Sequence, residues 1–414
     1  MKKWNKLLGL TLSAALLTGT LAGCTDGLKD KAGEGTPTPT ATVEGATPLV
    51  ATEDVVEKLA GISKDTVMFT VDGEPVTAEE FYYWIGVAAE DQAYLNFGST
   101  ENIDWTLEQD GKSLADLILE DAKQAAQLYR IVENNTAKAG ITLAAEDSTI
   151  LETQYAQTIS QYGEEEYARL LQQMAISDAG LRHMMQVSYL HTPLQASLFG
   201  DEGKTPPTSE AVIALAEEQG LMLAKHILIK TVDDSGNPLS EEAQAAAKAQ
   251  AEDLLSQLQA AAAKSTDPDA QLKLFDQLME EHSQDGRGAD GKLSSPDGYL
   301  FTTGQMVQAF EDGTVALEYN EMSGLVETEY GYHIILRLSP DNADMRTEWA
   351  SNQMRELTDT WMKEAVVVDS TEMEKVDVKD FYEKLVAYRL SLEPVVEETP
   401  APTATPTPTP SAGQ

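Results

Sequence analysis

Lys225-His226-Ile227-Leu228-Ile229 and Glu329-Tyr330-Gly331-Tyr332-His333-Ile334-Ile335-Leu336 are the two stretches whose reading decides the fold. Each sets a histidine among isoleucines and leucines, a composition that favours a strand over a helix. The chain has five histidines, and two of them sit in these strands. Between the strands lies Gly304-Gln305-Met306-Val307-Gln308-Ala309-Phe310-Glu311, which reads as a helix over 305–311. Met306 and Phe310 are four positions apart and on a helix would share one face.

Working outward, residues 221–230 read as one strand and Asp233-Asp234-Ser235-Gly236-Asn237-Pro238 as a loop. Ser240 caps a long Ala- and Gln-rich helix to about residue 263, and a second helix spans 269–282. A glycine-rich loop from Gly286 to Gly298 precedes a short strand at Tyr299–Phe301, and two more strands cover 324–328 and 332–338. The order β-α-α-β-α-β-β predicts an α+β domain, a sheet with helices packed on it.

Towards the N-terminus, Val67–Val71 reads as a strand and Asp72-Gly73 as a turn. Thr77-Ala78-Glu79-Glu80 has the spacing of a capping box, opening a helix through Phe81, Trp84, Ile85 and Ala88. Three- and four-residue apolar spacing predicts further helices at 113–138, 145–161, 163–174 and 177–198. Helices resume at 343–364 and from Val378 to Leu390. Helices on both sides of an inserted domain predict a split helical domain whose last helix returns to the first set.

The stretch from about 221 to 339 resembles a parvulin-type peptidyl-prolyl isomerase domain. The residues that carry the resemblance are Ala224–Ile229, His282-Ser283-Gln284-Asp285, Gly304–Glu311, Glu321-Met322-Ser323-Gly324-Leu325-Val326-Glu327-Thr328 and Tyr330–Ile335, in that order. Its surroundings are similar to PrsA-type foldase lipoproteins, relatives of the SurA-like chaperones. The resemblance implies a four-stranded antiparallel sheet with helices, inserted in a mostly helical SurA/PrsA-like chaperone domain. It implies a catalytic set of His226, Asp285 and His333. It further implies a proline pocket of Phe301, Met306 and Phe310, with Thr328, and secondarily Ser283, in the polar shell. The domain layout expected is 61–218 for the first helical part, 219–340 for the parvulin domain and 341–392 for the returning helices. No cofactor or metal is expected, since rotation about an amide needs neither nucleophile nor metal. A metal site at His226 and His333 is the rejected alternative, because no local ligand spacing supports it.

Two departures from the family shape the substrate. Asp233 and Asp234 stand where phosphate-directed parvulins carry basic residues, which argues against a phosphorylated substrate. The loop Gly291–Gly298 is long, and Gly298 falls where an apolar pocket wall is normally supplied. That second departure motivates the competing reading of a catalytically silent holdase.

The chain ends set location and partners. Lys2, Lys3 and Lys6 precede an apolar run from Leu7 to Leu17, and small residues lead to Leu21-Ala22-Gly23-Cys24. This pattern is that of a signal peptide over 1–23, and the last four residues resemble a lipobox. Cys24 is the only cysteine, which excludes an intramolecular disulfide and fits a lipidated anchor on the extracytoplasmic face of the cell membrane. Residues 24–60 and 393–414 are Thr-, Pro-, Gly- and Ala-rich and read as an extended linker and a disordered tail. Beyond Cys24 the chain carries 26 basic against 69 acidic side chains, a net charge of −43. Such a surface excludes nucleic-acid binding through phosphate contacts. Its plain reading is solubility, and the functional alternative is a chaperone surface kept soluble or favouring basic clients. The partners expected are unfolded or newly secreted polypeptides with Xaa-Pro bonds, and a second copy of the chain in a homodimer.

Overall fold

The computed structural model describes residues 53–100, 103–264 and 267–392. The expected signal peptide, Cys24, most of the 24–60 linker and the 393–414 tail lie outside the described residues. In chain order the elements begin with α1 (Val55–Ala60), β1 (Val67–Val71), β2 (Glu74–Thr77), α2 (Ala78–Phe97), β3 (Glu108–Gln109), β4 (Lys112–Ser113) and α3 (Leu114–Ala139). There follow α4 (Ala145–Tyr162), α5 (Glu164–Gln173), α6 (Asp178–Phe199), α7 (Ser209–Glu218), β5 (Leu221–Lys230), α8 (Glu241–Ala262) and α9 (Pro268–His282). The last are β6 (Tyr299–Thr302), α10 (Gln308–Val315), β7 (Met322–Thr328), β8 (Gly331–Leu338), α11 (Ala343–Glu364), β9 (Val367–Asp369) and α12 (Val378–Ser391). The chain divides into two units, Met1–Leu194 with Thr358–Gln414, and Gln195–Leu357. The second unit is thus inserted in a helical unit built from segments on both sides of it.

In the helical unit a small antiparallel sheet has the order β2-β1-β9. Strand β9 pairs with β1, Val71 opposite Val367 and Phe69 opposite Asp369. Helix α12 returns to the first helices: Phe381 lies 4.5 Å from Tyr82, ring centre to ring centre. Val378, Phe381, Tyr382, Leu385 and Tyr388 of α12 are all buried in the same core as Phe69, Phe81 and Ile118.

Several local expectations change. Helix α1 lies inside the stretch read as linker; Asp54 caps it, and Val55, Val56 and Leu59 are buried. Thr77 does cap α2, accepting from the Glu80 N–H. The Glu80 carboxylate does not complete a capping box, because it turns inward to the Arg130 guanidinium at 2.9 Å. The reciprocal box forms at Ser113 and Asp116, at the start of α3.

In the inserted unit the sheet order is β6-β5-β8-β7, all neighbours antiparallel. Side chains alternate across a strand, so this sheet separates two cores. Ile227 and Ile229 of β5 and Ile334 and Leu336 of β8 face α8 and α9, where Ala247, Ala251, Leu254, Leu258, Phe275, Leu278 and Met279 meet them. The α8 residues recur at steps of four and three, the stripe of a helix lying on a sheet. Lys225 shares that face, and its ammonium reaches Asp276 of α9 at 2.8 Å. On the opposite face Met222, Ala224, Phe301 and Ile335 pack with Phe310 and Leu317.

Candidate functional site

The period-two alternation that buries Ile227 on the helix side sends His226 to the other face, and the same holds for Ile334 and His333. His333 lies opposite Leu228, and His226 lies opposite Ile335, so the two histidines are diagonal neighbours on adjacent strands. Their Nδ1 atoms are 3.0 Å apart. His333 Nε2 lies 2.8 Å from the Thr328 hydroxyl. His226 Nε2 lies 3.0 Å from Asp285 Oδ2, close but poorly aligned for a hydrogen bond. The Tyr299 hydroxyl donates to the same Oδ2 at 2.6 Å. Asp285, His226, His333 and Thr328 thus form one polar line across the sheet.

Asp285 is placed by the end of α9. Ser283 is buried, and its Oγ accepts the Leu228 N–H at 3.1 Å. The Gln284 N–H donates to the Leu228 carbonyl at 2.8 Å, and the Gln284 side-chain oxygen accepts the Lys230 N–H at 2.7 Å. These bonds zip residues 283–284 onto β5 and deliver the next side chain, Asp285, to His226. Ser283 therefore serves the backbone here and does not join the line.

The apolar side of the site is aromatic. The Phe310 ring meets His226 edge-on at 5.1 Å and His333 at 5.5 Å, and it lies 5.8 Å from Phe301. Met306, Val307 and Val326 pack partly buried against this cluster. Met306 corrects the sequence reading. Helix α10 starts only at Gln308, so Met306 sits in the preceding turn and does not share a helix face with Phe310. Gly304, at φ +90°, turns the chain there. Buried Glu311 closes the turn, its Oε1 accepting the Gly304 N–H at 2.7 Å and the Met306 N–H at 3.0 Å. Met306 reaches the cluster through this carboxylate-held turn.

All the residues expected for the site, His226, Asp285, Phe301, Met306, Phe310, Thr328 and His333, come together on this one face. Two were not anticipated, Tyr299 and Glu311. Tyr299 had a signal: it is two positions from Phe301 on a strand and must share its face. Glu311 had none beyond its place after Phe310, because a surface carboxylate and a buried one look alike in sequence. Among the described residues, no group of three or more side chains is arranged to hold a metal ion.

The electrostatics follow from burial. Burial alone raises the Asp285 pKa. The His226 ring and the Tyr299 hydroxyl outweigh it and hold the carboxyl well below its usual range, so it is ionised. Burial, helped by His226 and opposed by Asp285, lowers His333 to about 3. Neutral His333 carries one ring proton. One hydrogen lies between the two Nδ1 atoms, and with it on His333 that ring donates to His226. His333 Nε2 then accepts from the Thr328 hydroxyl, which itself accepts the Tyr330 N–H at 3.2 Å.

A pH dependence of stability follows. The unfolded histidine binds its proton near pH 6.5 and the folded one only near 3. Stability from this group is full above about pH 6.5 and is lost as the pH falls towards 3. The loss expected between pH 7 and 5 is on the order of 2 kcal/mol. Asp285 adds nothing in that window, since its contribution is lost only below the ordinary carboxylate range. Hydrogen exchange of the β8 amides at the two pH values reads the effect. His333→Asn is expected to abolish the difference, and a wild-type β8 that opens with equal free energy at both would contradict the assignment.

Comparison with known proteins agrees with this geometry. Residues 226–339 match the Rotamase family, the PPIC-type PPIase domain. Over 137 residues the chain is 28% identical to foldase protein PrsA 1 of Bacillus cereus, which covers 30% of this chain and 46% of that protein. Over 108 residues it is 33% identical to foldase protein PrsA of Geobacillus kaustophilus, covering 26% of this chain and 36% of that protein. The matched stretches thus span less than half the length of these curated relatives. The crystal structure of PrsA from Bacillus subtilis aligns over 78% of this chain and 93% of its own, at 16% identity and a TM-score of 0.21. Residues 226–339 are thus similar to the PPIC-type PPIase domain, and the four-stranded antiparallel sheet agrees with that match.

Proposed function

We propose that this chain is an extracytoplasmic, membrane-anchored peptidyl-prolyl isomerase and foldase for newly secreted polypeptides. The observation that supports it is the polar line from Asp285 to Thr328 running beside the apolar wall of Phe301, Met306 and Phe310. An Xaa-Pro bond exchanges in tens to hundreds of seconds unaided, because amide conjugation sets a barrier of about 18–20 kcal/mol. A catalyst must prefer the twisted amide to both planar forms. The apolar wall holds the proline ring while the preceding residue turns. Planarity rests on a resonance form with negative charge on the carbonyl oxygen. An ionised carboxylate beside that oxygen disfavours this form and so favours the twisted one. The histidine pair keeps the floor of the site rigid and the Asp285 oxygen in place.

Anchoring through lipidated Cys24, with the residues between Cys24 and α1 as a stalk, belongs to the same proposal and rests on the sequence alone. The returning helical unit supplies a surface for extended clients.

Two variants of the full chain test the isomerase reading on Xaa-Pro peptides. Asp285→Asn keeps the shape and removes the charge; kcat/KM is expected to fall about a hundred- to a thousandfold, the range of one electrostatic group at an active site. Met306→Ala is expected to raise KM about tenfold, the scale of a few lost methylene contacts. A chain that protects an unfolding client from aggregation yet leaves peptide exchange unchanged, wild type and variants alike, would establish the silent holdase instead.

A further inference from the structure

We propose that Tyr299 is a positioning residue of the isomerase site, its hydroxyl fixing the Asp285 carboxylate in register with His226. The proposal rests on the isomerase reading above and adds a residue to it.

Three observations carry it. First, the Tyr299 hydroxyl at 2.6 Å and His226 Nε2 at 3.0 Å converge on one atom, Asp285 Oδ2. The phenol is the shorter and better aligned contact. A short hydrogen bond to an ionised acceptor is about twice as strong as a neutral one, so the hydroxyl decides where the carboxylate points. Second, the ring is itself fixed. Tyr299 pairs with Ala224 in the β5–β6 ladder, and its ring lies edge-on to His226 at 5.7 Å. It also packs partly buried against the cluster of Phe301 and Phe310. Third, the residue before it admits no side chain. Gly298 sits at φ +95°, and a Cβ there would lie 2.7 Å from the Ala224 carbonyl oxygen. The chain enters β6 tight against β5 at Gly298, which sets the start of the strand and the direction of the next side chain. Tyr299 is thus the first side chain of β6 and projects into the site.

Without the hydroxyl, Asp285 keeps the misaligned His226 contact and the Gly286 N–H. Its orientation loosens and its proton affinity rises. The role is to place and ionise Asp285, so removing the hydroxyl is expected to lower kcat more than it raises KM.

The test uses the full chain with Tyr299→Phe, alone and in an Asp285→Asn background. In the wild-type background, kcat for an Xaa-Pro peptide is expected to fall about tenfold. KM is expected to change little. In the Asp285→Asn background the same substitution is expected to change nothing, because the residue it acts through is already neutral. Carbon-13 titration of the Asp285 carboxyl gives a readout independent of turnover, and its midpoint is expected to rise in Tyr299→Phe. An unmoved midpoint, or an equal loss of kcat in both backgrounds, would overturn the proposal. A wild-type chain that catalyses no exchange would overturn the isomerase reading instead, and the carboxyl titration would still decide whether Tyr299 fixes Asp285.

Discussion

Phe310→Ala is expected to abolish peptide isomerisation and to lower the stability of the inserted unit by about 3–5 kcal/mol, the usual cost of emptying a buried phenylalanine site. Phe310 is buried, and its ring touches His226, His333 and Phe301 together. Its removal opens a cavity beneath the histidine pair and takes away the wall on which a proline ring would rest. Water entering that cavity would also solvate His333, so its pKa should climb back towards the ordinary histidine range. The stability arm is checked by urea unfolding followed through exchange of the β8 amides, and the activity arm by exchange in an Xaa-Pro peptide at a denaturant-free concentration where the variant is still folded. Phe310→Leu serves as the control, keeping most of the volume. It is expected to restore stability to within about 1.5 kcal/mol while leaving activity well below wild type. Equal activity in Phe310→Ala and wild type would remove the aromatic wall from the mechanism.

A chain ending at Ala365 is expected not to fold its helical unit. The truncation deletes β9 and α12 and, with them, the buried side chains of Val378, Phe381, Tyr382, Leu385 and Tyr388. At about 1.5–3 kcal/mol for each large buried side chain, their loss amounts to roughly 10 kcal/mol. Whole domains are stable by only about 5–15 kcal/mol. The first strand would also lose a ladder partner, leaving Phe69, Thr70 and Val71 unpaired on one edge. Limited proteolysis and a thermal melt check this; cleavage within α2 and α3 under conditions where the longer chain resists is the expected result. A truncated chain that still protects α2 and α3 would show that the first segment folds without the last.

How much of this was legible in the sequence depended on the range of the interactions involved. The parvulin sheet was legible because strands such as β5 and β8 declare themselves by composition, and the histidines inside them stand out from an apolar background. The long helices declared themselves by their spacing, and their bounds fall within a residue or two of expectation. Short strands with an apolar face, β1 and β6, were legible, but other short elements were not. Strand β9 is three residues long, and the exposed Val366 and Val368 give it no apolar face to read. Strand β2 contains Pro75, and helix α7 buries only Val212 and Ala216. Each exists because a distant partner holds it, which is tertiary information. The same reason explains Glu80, whose cap-like spacing lost to the buried Arg130 guanidinium, and Met306, whose helix-like spacing lost to the turn closed by Glu311. In the site, residue types and order were readable. The contact between Tyr299 and Asp285 was not, because it links a strand to a loop fourteen residues away.

Exchange NMR measures directly whether an Xaa-Pro bond turns over at this site. A short Xaa-Pro peptide shows separate cis and trans signals, and unaided exchange over tens to hundreds of seconds leaves no cross-peaks at mixing times below a second. With a substoichiometric amount of the full chain, cis–trans cross-peaks are predicted at those mixing times, and they are predicted to vanish in Phe310→Ala. Folded wild-type chain that produces no cross-peaks across a series of residues before proline would contradict the account.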